Sequence, residues 1–230
     1  MKTLLISVLI ITLSASISNG QLAPDTLWTK KIDHSVGFAL QTQDEGLLLL
    51  GDAQSGKYII CCDDSGNILW ERSFSICPGY RPHYSFAVET EDHGFVIGCC
   101  CASGRLEVFY YDHRLIKLNS AGDSVWISTN SEGEGDFIRW IEQTSDKGYI
   151  TTGNSEYSAR KGTTRNYNDN GDILWTKDYG GCSVLETSDN GFLIAGSNSY
   201  EEGFGDVTLL KTNDLGDSLW MKTYKKDEFC

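Results

Sequence analysis

The stretch "ETSDNGFLIAG", Glu186 to Gly196, decides how this chain folds, because close variants of it occur three more times. They are "QTQDEGLLLLG" from Gln41, "ETEDHGFVIGC" from Glu89 and "QTSDKGYITTG" from Gln143. In every copy an extended run precedes Asp-x-Gly and an apolar run follows it. Asp-x-Gly favours a tight reversal, with the glycine free to take positive φ, so the phrase predicts strand, turn, strand.

Each copy is followed by a second turn and a tryptophan: "DDSGNILW" ends at Trp70, "NSAGDSVW" at Trp126, "NDNGDILW" at Trp175 and "NDLGDSLW" at Trp220. A unit that returns about every 50 residues is a supersecondary structure that covers its faces with its neighbours. The third strand of each unit is "YIICC", "RLIKL", a degraded "TTRNY" and "VTLLKT", and the fourth starts at each Leu-Trp or Val-Trp pair. Gly66, Gly122, Gly171 and Gly216 mark the turn between them. Leu47–Leu50 and Phe192–Ala195 do not alternate apolar with polar, so both faces of those strands must be covered.

A repeated four-stranded antiparallel sheet buried on both faces is a propeller blade. The sequence therefore predicts an all-β, β-propeller-like domain over 21–230, with about four blades near 33–75, 76–131, 132–180 and 181–224. "LWTKKI", Leu27–Ile32, reads as an extra N-terminal strand with no blade of its own. Three closures follow: a small closed ring, a partial ring that another chain completes, or a piece of a longer repeat array.

At the N-terminus one lysine precedes an apolar run from Leu4 to Leu13, and small residues end at Ser18-Asn19-Gly20. That layout predicts a signal peptide over 1–20, cleaved before Gln21, and a secreted, extracellular or periplasmic protein. The formal net charge of the whole chain is −13. A surface this acidic repels nucleic-acid phosphates and anionic lipid heads, so neither nucleic acid nor a membrane is an expected partner after cleavage.

The units resemble the secreted β-propeller repeat proteins of bacteria and archaea. The matching residues are Thr187–Gly191, "GDVTLLKTNDLGDSLWMKTY" ending at Tyr224, and "LWTKDYGG" at Leu174–Gly181. The resemblance spans the mature chain and implies a binding or structural module, usually within larger exported proteins. "DDSGNILW" with Cys61-Cys62 is also similar to the docking repeat of quinoprotein propellers, although the chain is less than half the length such dehydrogenases need.

In an up-down blade, the turns joining strands one to two and three to four lie on one side, and all other connections lie on the opposite side. The long insertions, Ile76–His83, Cys99–His113, Thr129–Asp136, Asn154–Thr164 and Ser197–Asp206, fall in the second group. Loops gathered on one face of a rigid scaffold commonly build recognition sites. The candidate binding residues there are Tyr80, Arg81, His83, Tyr110, Tyr111, His113 and Arg114, with Tyr and Arg groups suited to a carbohydrate or a protein ligand. Cys77, Cys99, Cys100, Cys101 and Cys182 are disulfide candidates near the same face.

The sequence identifies no catalytic residue, and no cofactor or dedicated metal site is expected. "NYNDNG" at Asn166–Gly171 starts like a calcium loop, but Lys177 stands where a bidentate Glu is required, which leaves at most a weak surface calcium site. The runner-up function is an extracellular hydrolase or lyase using Glu132, Glu134 and Asp136. Self-association to complete the ring is a further expectation.

Overall fold

The computed structural model describes residues 29, 31–32, 35–53, 56–74, 82–103, 110–130, 136–155, 162–197 and 206–225. Within these ranges the side chains at 52–53, 56–57, 82–85, 101–103, 110–112, 136, 154–155 and 197 lie outside the description.

The described residues form four antiparallel sheets of four strands each, in strict sequence order. Blade one comprises β1 (Val36–Gln41), β2 (Leu47–Ala53), β3 (Gly56–Cys62) and β4 (Ile68–Phe74). Blade two comprises β5 (Pro82–Glu89), β6 (Phe95–Ser103), β7 (Tyr110–Leu118) and β8 (Ser124–Asn130). Blade three comprises β9 (Asp136–Gln143), β10 (Tyr149–Ser155), β11 (Thr164–Tyr167) and β12 (Ile173–Lys177). Blade four comprises β13 (Ser183–Glu186), β14 (Phe192–Ser197), β15 (Val207–Thr212) and β16 (Ser218–Tyr224). The protein is all-β and propeller-like, as its repeats predict. The degraded "TTRNY" copy still makes a strand, β11, every residue of which is buried.

The first turn of each blade corrects one expectation. Its positive φ belongs to the residue before the glycine: Glu45 (67°), His93 (57°), Lys147 (72°) and Asn190 (61°). The glycine is needed for a different reason. A Cβ on Gly46, Gly94 or Gly148 would sit 2.3 Å from the carbonyl oxygen of Cys62, Leu118 or Tyr167, the last residue of the third strand. Close backbone approach, rather than left-handed geometry, selects Gly there. In the second turn the glycine itself takes positive φ, with Gly66, Gly122, Gly171 and Gly216 between 75° and 81°.

Consecutive blades share apolar layers. Leu48, Leu50 and Ile59 of blade one pack with Phe95, Ile97 and Ile116 of blade two. Val96 and Leu115 on the other face of blade two pack with Ile138, Ile141 and Tyr149 of blade three. Ile150 continues the series against Val184, Phe192 and Ile194 of blade four. Blade four packs against blade three, and among the described residues no contact of similar extent joins it to blade one. The extra strand expected at Leu27–Ile32 lies mostly outside the described residues, although Ile32 packs on the opposite face of blade one, against Leu47, Leu49, Ile60 and Cys62.

Candidate functional site

Up-down connectivity sends the segments after β4, β6, β8, β10, β12 and β14 to one side of the blades and both tight turns to the other. The tight-turn side is locked. In each first turn a Thr hydroxyl donates to the Asp carboxylate two residues on, as in Thr144 to Asp146 at 2.5 Å. In blades two and four a third-strand lysine reaches the same carboxylate, Lys117 to Asp92 at 2.7 Å and Lys211 to Asp189 at 2.9 Å. Burial pushes the Asp92 carboxyl up, but bonds from Lys117, Thr90 and the Gly94 N–H outweigh it and hold the group down at about 2.

Of the predicted binding residues, His83, Tyr110, Tyr111, His113 and Arg114 fall within the described strands, and their placement corrects one expectation. "YYDHR" is not a loop: β7 begins at Tyr110 and β6 runs on to Ser103, which pairs with Tyr110, so these residues are strand. Aromatic residues favour the pleated conformation, and here they lengthen the hairpin beyond the blade rim. His83 belongs to β5 and pairs with Cys100, which in turn pairs with His113. The fold thus brings His83, Cys100 and His113 to one register row. Tyr110 and Tyr111 pair with Ser103 and Ala102 at the sheet's end. Tyr80, Arg81, Cys77, Glu132 and Glu134 lie outside the described residues, as do the side chains of His83, Tyr110, Tyr111, Cys101 and Asp136.

His113 is buried, at 4% exposure, and Arg114 is half-buried. Arg165 of blade three, 3% exposed, crosses the seam between blades to meet His113. Its Nη1 lies 2.6 Å from His113 Nδ1 and 2.6 Å from Thr163 Oγ1. A guanidinium can only donate, so Nδ1 accepts and the imidazole proton sits on Nε2. Thr152 and Thr164 extend the polar row, with Oγ1 atoms 3.0 Å apart, and Thr164 donates to the Tyr179 carbonyl at 2.7 Å.

The sequence reading did not single out Arg165 or Thr163. A signal was present: in the aligned third strands Arg165 takes the place filled by Ile60, Ile116 and Leu210. A charge at a position that is apolar in every other repeat marks a local polar core. Of the disulfide candidates, Cys99 and Cys100 are wholly buried, and the Cys100 sulfur accepts the Ile138 N–H at 3.1 Å across the seam. Cys182 is exposed. Among the described residues no group of three or more His, Cys, Asp or Glu is placed to hold a metal ion.

On the tight-turn side a cleft of about 470 Å³ lies between blades three and four, lined in part by Thr144, Asp146, Trp175, Glu186 and Asp214. Three of its lining residues join the blades: Ser145, Glu186 and Trp175. The Glu186 carboxylate accepts from the Ser145 N–H at 2.7 Å and its hydroxyl at 2.9 Å, and the Trp175 indole donates to the Asp214 carbonyl at 3.1 Å. Nearby, burial pushes the Glu142 carboxyl up, and the Glu186 charge adds to that, against bonds from the Glu186 N–H and Trp140.

No family model and no curated protein matches the chain. Among solved structures, it is similar to a protein of unknown function from Bacteroides caccae, with a TM-score of 0.50 at 13% identity, covering 86% of this chain and 85% of that one. It also overlaps a eukaryotic initiation factor with a TM-score of 0.41 at 6% identity, covering 86% of this chain and 57% of that one, too distant to bear on the reading. At such identities the likeness concerns the fold alone.

Proposed function

We propose that this protein is a secreted, non-catalytic β-propeller-like module for binding or structural presentation, with its ligand face formed by the long connections. The observation that carries the reading is the asymmetry between the two sides. Turn carboxylates, lysines and backbone amides lock one side, while every connection longer than a tight turn leaves from the other. The buried His113–Arg165 contact holds β7 and β11 together just beneath that second side, which gives Tyr110, Tyr111 and Arg114 a rigid base. A rigid base lowers the ordering cost that a ligand must overcome.

Tyrosine faces and arginine donors suit a carbohydrate or an extended peptide. The test is a thermal-shift screen of the exported chain against soluble glycans and peptides, followed by product analysis of each hit. A ligand that raises the midpoint, is recovered unchanged, and loses its effect in Tyr110→Ala/Tyr111→Ala but not in Asp189→Asn supports the reading. Turnover of the ligand that Glu132→Gln or Glu134→Gln abolishes would overturn it in favour of a hydrolase or lyase.

A further inference from the structure

Three seams between blades repeat one set of contacts. The fourth-strand tryptophan of one blade meets the next blade's turn glycine: a Cβ on Gly122, Gly171 or Gly216 would fall 2.6 to 3.0 Å from the ring of Trp70, Trp126 or Trp175. The same ring stands edge-on to the aromatic residue that opens the next blade's second strand, Phe95, Tyr149 or Phe192, with centroids 5.7 to 6.0 Å apart. In two seams a cation two residues after the tryptophan reaches the Asp that follows the glycine, Arg72 to Asp123 at 3.3 Å and Lys177 to Asp217 at 2.7 Å. A Glu or Gln of the later blade accepts a backbone N–H from the first turn of the earlier one: Gln43 N to Glu89, Glu91 N to Gln143 and Ser145 N to Glu186.

Blade four has the donor half of this set on its outer face, and nothing described fills it. Trp220 is 42% exposed, whereas the three other fourth-strand tryptophans are half-buried. Lys222 folds back over the Trp220 ring, 5.3 Å from its centroid. Leu193 is half-buried, although its counterparts Leu48, Val96 and Ile150 are each at 0% exposure. Leu209 is likewise half-buried, against 0% for Ile59 and 1% for Leu115.

We infer that the outer face of blade four is a docking surface for a further blade of this repeat type, distinct from the four blades described. The partner blade presents Glu or Gln before its Thr-x-Asp-x-Gly turn, Phe or Tyr directly after it, and Asn-x-x-Gly-Asp at its second turn. The three internal seams specify that occupant, and the Asp complements Lys222. A second copy of this chain fits poorly: the second turns of its blades two to four already hold Trp70, Trp126 and Trp175, and blade one offers Leu47 for the aromatic and Asn67 for the Asp. This edge lies apart from the ligand face, so either site can fail without the other.

The test joins a second copy of residues 180–225 directly after Tyr224, which stands where Tyr179 stands in the preceding unit. The added blade supplies Phe192, Gly216 and Asp217 in the required places. Hydroxyl-radical footprinting of Trp220 should fall at least threefold in the junction blade relative to the unextended chain, and Trp220→Ala at the junction should leave the added blade open to proteolysis. Because the fusion could misfold, the unextended chain is also titrated with a backbone-cyclised hairpin of residues 114–128. Saturable protection of Trp220, lost with Gly122→Val in the hairpin, is the expected result. Unchanged labelling of Trp220 in both experiments overturns the inference. So does a concentration-dependent dimer of the unextended chain that Trp220→Ala abolishes, since a second copy would then be the occupant.

Discussion

The indole N–H of Trp70 donates to the carbonyl of Ser120, 50 residues along the chain, at 2.9 Å. The bond fixes the ring over Gly122, and Arg72 beside it donates to the Ala121 carbonyl at 2.9 Å. One strand end of blade one therefore clasps a single turn of blade two. The arrangement is cooperative, because the turn geometry that exposes those carbonyls also clears room for the ring.

Gly122→Ala should lower the unfolding free energy by about 2–4 kcal/mol, combining left-handed backbone strain with overpacking against the ring. Gly37→Ala, with nothing within 4 Å of the new Cβ, should stay within about 0.5 kcal/mol of the parent. Urea denaturation of the two variants is the comparison. Equal midpoints would show that the Trp70 clasp carries little of the stability.

The Asp92–Lys117 pair predicts an acid-side loss of stability. A carboxyl held at about 2 in the folded state and near 3.9 when unfolded stabilises the protein fully above the unfolded value, and this is lost as pH falls toward 2. The difference in urea midpoint between the parent and Asp92→Asn should therefore shrink steadily between pH 5 and pH 2. A difference independent of pH would place the effect of Asp92 in its hydrogen bonds to Thr90 and Gly94 rather than in its charge.

Glu142 should behave in the opposite way. Burial and the Glu186 charge raise its folded pKa, so the ionised form is disfavoured in the folded protein and stability declines as pH rises through that value. Glu142→Gln keeps an oxygen acceptor for the Glu186 N–H and removes the charge. It should raise the thermal midpoint at pH 8 and change it little at pH 4. A lower midpoint at pH 8 would refute this.

Burial pushes the Cys61 thiol up to about 11, with neighbouring Cys62, Asp44 and Glu89 adding to the shift. Because the thiolate is the reactive form, alkylation by iodoacetamide at pH 8 should be slower in the folded chain by on the order of a hundredfold than in denaturant. Peptide mapping by mass spectrometry reads the difference directly. Equal rates would mean that blade one opens readily.

Much of the fold could be read along the chain because each determinant is local. The strand–turn–strand phrase, the second-turn glycines and the non-alternating second strands depend on neighbours a few residues apart, and fourfold repetition amplifies each signal. The role of Arg165 is not local. Its aberrant place among Ile60, Ile116 and Leu210 is visible in the alignment, but its partner His113 is 52 positions away in another blade. The "YYDHR" stretch reads as part of an insertion along the chain for a related reason: strand extension beyond a blade rim depends on a pairing partner, Ala102–Ser103, which itself lacks strong strand character.

The amino-acid sequence by itself determined the repeat, the all-β class, the four-stranded blades and the net negative charge, since period, turn chemistry and charge are properties of the chain alone. Only the tertiary structure decided why the first-turn glycines are required, what the Glu and Gln of the repeated phrase bind, and which face of blade four the other described residues leave uncovered. Those answers depend on the approach of backbone or side chains from other strands and blades. Residues 41 and 186 open the same phrase, yet Glu186 caps the turn of a preceding blade while Gln41 belongs to the first blade of the series.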